Sequence, residues 1–243
     1  MPQMADYIDK NILCQAYIHV ELPESTTAEQ LEAIKQHLLD FTTARAKFFV
    51  YPEVEIEAEF KHGSLKSYLT IAGSIYLAVV SYGSFRKGVD YLYTDIKRLG
   101  DCLVSESLFT TRSRPDAIKR TESRTGITGS LKLLVDDLTL LESSMGQIST
   151  EEAARKIDRL RLDSEQLLAN VNDENDRNSI EAEIDLFADS LPDNYPHPKE
   201  KVPNDAAIFL YQDALTGMRK RFGKKSKIPI APPAVIRNID PNI

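Results

Sequence analysis

Nine residues near the end of the chain carry its densest chemistry. Residues 219–227 read Arg-Lys-Arg-Phe-Gly-Lys-Lys-Ser-Lys, with six positive charges (Arg219, Lys220, Arg221, Lys224, Lys225, Lys227) and no negative one. Three readings compete. The run ends an amphipathic helix, where cations complement the negative end of the helix dipole. It clamps nucleic acid, with a salt-dependent affinity from released counterions. Or it lies on an anionic membrane surface beside that helix. A docking strip for an acidic protein is a further use. Setting these six charges aside takes the formal net charge from −7 to −13, so a small basic segment sits on an acidic body. That balance argues against nucleic-acid binding by the surface as a whole.

Four glutamates alternate with apolar residues over Glu53–Phe60 (Glu-Val-Glu-Ile-Glu-Ala-Glu-Phe). A strand puts Val54, Ile56, Ala58 and Phe60 on one face and the four acids on the other. Same-face neighbours stand about 6.8 Å apart, too far for two of them to grip one cation unaided. The expectation is a solvated acidic face, a charged edge that resists aggregation, or a surface for a basic partner. Histidines 19, 37, 62 and 197 show no paired spacing for zinc, and Cys14 and Cys102 form no motif with them. No metal or cofactor site is expected. Phosphate loop, dinucleotide fingerprint and nucleophile elbow are all missing.

Gly83-Ser84, followed by Arg86, Gly88, Asp90 and Asp95, resembles the nucleotidyltransferase pattern of a Gly-Ser turn and two magnesium-binding acids. The resemblance covers about fifteen residues. It implies magnesium-dependent nucleotide turnover that Asp95→Ala would abolish. The chain departs from the pattern where the second acid belongs, at Lys97. Its apolar residues there follow a helical stripe, which sets Asp90 and Asp95 about 140° apart, unable to share a metal. A divergent enzyme of this kind ranks third among the functional readings, and the leading expectation is no enzyme.

The elements that must hold these residues follow from periodicity. Residues 15–22 alternate and predict a first strand, ended by Pro23. Thr26 and Glu29 form a capping box, and Leu31, Ile34, Leu38, Phe41 and Phe48 mark the helix behind it. The acidic strand completes a β-α-β module, parallel and right-handed or with an antiparallel return. Two strands make no independent sheet, so Tyr7–Leu13, another segment or a partner must complete it.

Nineteen uncharged residues follow, Ser67 to Phe85, read as a buried core helix with a membrane-inserted helix as the alternative. Val89, Leu92, Ile96, Leu99 and Leu103 predict a long helix, and Pro115 the start of a short one ended by Gly126. Leu131–Met145, Ala153–Val171 and Ile180–Leu191 give three more helical seams, joined by short connections that favour antiparallel packing. Arg112, Arg114, Lys119, Arg120 and Arg124 form a second basic cluster, partly offset by Asp116 and Glu122 and expected to pair with an acidic helix of the same chain, phosphate binding being the alternative.

The chain thus reads as α+β and mostly helical. A small α/β module spans 1–63, a helical body 64–191, a Pro-rich linker 192–204, and a C-terminal amphipathic helix with an extended tail 205–243. Four prolines punctuate the tail, yet Ile228, Ile230, Val235 and Ile236 make it apolar enough to dock. With 243 residues there is ample length for a core. Unpaired cysteines and an N-terminus without a signal-peptide pattern predict a cytoplasmic protein, membrane association being the alternative. The leading functional expectation is a non-enzymatic subunit of an oligomeric complex, joined by a free sheet edge, helical seams and the C-terminal arm. Protein or a second copy is the expected partner; nucleic acid or anionic membrane on 219–227 is the alternative.

Overall fold

The computed structural model describes residues 11–50, 54–61, 65–80, 82–196 and 205–223. Within them the elements run β1 (Asn11–Val20), α1 (Ala28–Phe49), β2 (Val54–Lys61), β3 (Leu65–Gly73), α2 (Ile75–Val80), α3 (Phe85–Thr111), a 3-10 turn (Pro115–Ala117), β4 (Ile118–Arg124), α4 (Gly126–Ser144), α5 (Thr150–Ala169), α6 (Glu174–Ser190) and α7 (Asp205–Phe222). The mostly helical α+β class holds.

The sheet order is β2-β3-β1-β4, antiparallel at every neighbour. β1 and β2 both oppose β3, so they run parallel to each other with β3 inserted between them. This is a split β-α-β arrangement. The chain itself completes the sheet, with β3 and β4, and the 63/64 division falls inside the β2–β3 connection. Residues 7–10 of the proposed Tyr7–Leu13 strand lie outside the described residues, and β1 begins at Asn11.

Two elements correct the sequence reading. The uncharged run holds strand β3 and the short helix α2 in place of one helix. β3 places Ser67 on its buried face among Leu65, Leu69 and Ile71, and Lys66 is the one charged residue on its other face, so the alternation is weak and the run reads as uniformly uncharged. Among the described residues no helix is long and apolar enough to cross a membrane. The short helix expected from Pro115 to Gly126 is one 3-10 turn followed by edge strand β4. Gly126 opens α4 instead of closing a helix. Its φ of +50° and its approach to the Ile12 carbonyl, 2.1 Å from where a Cβ would stand, both require glycine.

Thr27 caps α1, one residue later than expected, and forms the capping box with Gln30. Ser149 caps α5, its hydroxyl accepting the Glu152 N–H. α1 packs on β2 and β3, and α3 on β1 and β4. They bury Cys14, Ala16, Ile18 and Val20 of β1 and Leu65, Leu69 and Ile71 of β3 against Val89, Leu92, Ile96, Leu99 and Leu103 of α3. The same apolar core continues through α4, α5, α6 and α7, where Leu131, Ile157, Ile184, Phe187, Leu215 and Met218 are buried. α7 lies against α5 and α6.

Candidate functional site

The inner face of the sheet is closed by helices; the outer face holds the side chains that could meet a partner. Strand register sorts it into three rows. The first is Lys66, His19 and Arg120, in the order β3, β1, β4, and the backbone of Lys61 extends its register onto β2. The second is Glu59, Tyr68, Tyr17 and Glu122, and the third Glu57, Thr70, Gln15 and Arg124. Glu57 and Glu59 are exposed, Tyr17, Tyr68, His19 and Lys66 half-buried.

Tyr17 and Tyr68 occupy the two central strands, directly opposite each other. Their ring centroids are 4.6 Å apart with planes tilted by 37°. Such a pair gains about 1 kcal/mol beyond the area it covers. The Arg120 guanidinium lies 5.7 Å from the Tyr17 ring centre, within cation–π range. Gln15 Nε2 donates to Thr70 Oγ1 at 3.0 Å, locking the third row across the same strands.

The two edges carry opposite charge. β2 contributes Glu55, Glu57 and Glu59 to this face. β4 contributes Arg120 and Arg124, each donating to Glu122 Oε2, at 2.8 and 2.9 Å. Arg124 first, then Arg120, holds the Glu122 carboxyl below its usual range. Both arginines stay more than half exposed, 59% and 53%, so they remain available for outside contacts. The second basic cluster therefore pairs in part within the chain, along β4; Lys119 also reaches Glu21 at 3.1 Å.

The residues nominated from sequence are dispersed. Arg219 is built into the junction of α6 and α7. It donates through Nε to the Ala188 carbonyl at 3.1 Å and through Nη2 to the Leu191 carbonyl at 2.8 Å, and pairs with Asp193. Arg221 lies 3.6 Å from Glu165 and over the Phe222 ring, while Lys220 is exposed. Lys224, Lys225, Lys227 and the tail residues Ile228, Ile230, Val235 and Ile236 lie outside the described residues.

Asp90 and Asp95 stand on α3, as the helical stripe requires. Asp90 pairs with Lys132 at 3.3 Å, and Asp95 accepts the Tyr82 hydroxyl at 3.0 Å. Arg86 is held by Glu142 through two bonds (2.6 and 3.0 Å) and by Glu183 at 2.6 Å, which raises its pKa further. Among the described residues no cluster of three or more His, Cys, Asp or Glu is placed to hold a metal ion.

Sequence reasoning missed the tyrosine pair. Tyr17 was visible on the polar side of the first strand, but Tyr68 lay in a segment read as helix. The alternation Lys66, Tyr68, Thr70 against Leu65, Leu69, Ile71 was the available signal. Comparison with protein-family models, curated proteins and solved structures finds no match to this chain.

Proposed function

We propose that the chain is a non-enzymatic assembly subunit and that its docking surface is the outer face of the sheet, with protein as the ligand class. One observation carries this reading: a four-stranded sheet, closed on one side by α1 and α3, presents on the other a tyrosine pair between an acidic and a basic strand. Tyrosine and arginine are enriched at protein interfaces, because they bring large contact area together with polar anchoring. Nucleic acid fits the face less well. Glu59 and Glu122 flank the tyrosines one strand away on either side, about 5 Å, and would repel a phosphate backbone running across them. Arg219 and Arg221, engaged within the chain, also weaken the basic segment as a nucleic-acid or membrane clamp.

Light scattering behind a sizing column tests the proposal, on purified chain and on extract of the cells that make it. Wild-type chain is expected in a species larger than 27.4 kDa. Tyr17→Ser with Tyr68→Ser should return it to that mass with its thermal melt cooperative. Assembly that survives both substitutions would show that this face is not the docking surface.

A further inference from the structure

The outer face is complementary in charge to itself. Strand spacing of about 4.8 Å and same-face residue spacing of about 6.8 Å make the twelve-residue patch nearly square, about 14 Å on each side. Glu57 and Arg120 occupy opposite corners, and Lys61 and Arg124 the other two. We infer that the occupant of this face is a second copy of the chain, packed sheet against sheet about a two-fold axis along the Lys61–Arg124 diagonal. The inference rests on the docking-face reading above.

Rotation about that diagonal exchanges the other two corners. Glu57 of each copy then lies over Arg120 of its mate. Glu59 falls between Lys66 and His19, and the two tyrosine pairs meet at the centre. Arg124, more than half exposed, meets its own counterpart at the rim, where solvent screens it. The strands of the two copies cross at near right angles, an established mode of sheet packing. A two-fold axis along the strands would instead set the row Lys66, His19, Arg120 against itself and Glu59 over Glu122. An axis across the strands would set Glu59 against Glu59. The diagonal arrangement alone of these three sets no glutamate over another and no basic row against itself, and it closes at two copies.

The patch with its margins covers roughly 400 Å² per copy, below a standard interface, so the dimer exchanges rapidly and depends on salt. The contact is symmetric, which gives a decisive test. Glu57→Arg and Arg120→Glu each place like charges at two contacts of the homodimer. Mixed in equal amounts they form a heterodimer in which both contacts are complementary.

Sedimentation at concentrations on the order of 100 μM, in low salt, follows association. Wild type should dimerise, and each variant alone should weaken dimerisation on the order of tenfold or more. The equimolar mixture should restore it, which also shows both variants folded. A benzophenone side chain at position 68 should give an adduct of twice the chain mass. Failure of the mixture to restore association overturns the diagonal dimer. An adduct to a different polypeptide overturns the second copy as occupant and leaves the docking face standing. Adducts only within one chain, or to nucleic acid, overturn both.

Discussion

Asp176 Oδ2 lies 2.6 Å from the side-chain nitrogen of Asn11, a residue 165 positions earlier in the chain. The same oxygen accepts the Ile75 backbone N–H at 2.8 Å. Oδ1 accepts the Tyr76 N–H at 2.8 Å and the Ser74 hydroxyl at 2.7 Å. This fully buried carboxylate thus ties α6 to the first residue of β1 and to the start of α2. Asn11 returns the connection by accepting the Asn172 N–H at 2.8 Å.

Asp176→Ala leaves four donors without an acceptor in a dry site. Stability should fall by about 3 kcal/mol or more, read as the urea midpoint of the full chain. Asp176→Asn keeps the size and one acceptor oxygen, and should recover a minor part of that loss. A loss below about 0.5 kcal/mol for the alanine variant, the level of an ordinary surface substitution, would contradict this role.

Arg86 joins the start of α3 to Glu142 at the end of α4 and Glu183 on α6. Its planar fork meets Glu142 with two parallel bonds, a geometry lysine cannot reproduce. Arg86→Met should cost about 2 kcal/mol, since it leaves two half-buried carboxylates facing each other. Arg86→Lys should restore less than half of that in thermal melts. Full recovery with lysine would mean that charge alone, and not the fork, does the work.

Cys14 is fully buried between the sheet and α3, and its thiol donates to the Ile96 carbonyl. Burial, with Asp101 adding to it, pushes this thiol up to about 12 from an ordinary 9.0. The folded value lies above the unfolded one. The contribution to stability is therefore complete below pH 9 and is lost as pH rises toward 12. At pH 8 an aromatic disulfide reagent should titrate Cys102 alone in the folded chain and both thiols in urea. Between pH 9 and 11 the urea midpoint should fall faster for wild type than for Cys14→Ala. Rapid labelling of both thiols under native conditions would refute the buried assignment.

The legible parts of the sequence were those whose environment is uniform along one element. Glu55, Glu57 and Glu59 alternate because β2 is an edge strand with one wet face, and the stripe from Val89 to Leu103 repeats because α3 covers the sheet with one side. β3 was illegible for the converse reason. Its buried face carries Ser67 and its outer face the uncharged Tyr68 and Thr70, so Ser67 to Ile71 reads as a charge-poor run that fits a core helix equally well. β4 carries one apolar side chain, Ile118, among seven residues, and its strand state is imposed by pairing with β1. Propensity gave way there to tertiary contact. The tyrosine pair fell out of view with β3. Arg219 looked like a ligand-binding cation because its carbonyl partners at Ala188 and Leu191 are backbone atoms, which no residue type announces.

The tie from Asn11 to Asp176 also sets an order in time. Synthesis proceeds at about 5–20 residues per second, so the acid emerges roughly 8–33 s after the amide it will bind. β1 is made first yet sits at the centre of the sheet, and β4, its outer partner, arrives about a hundred residues later. For much of its synthesis the nascent chain carries an apolar strand with one open edge, the state in which foreign strands can add to it. Newly made chain, more than mature protein, is thus the form open to strand addition.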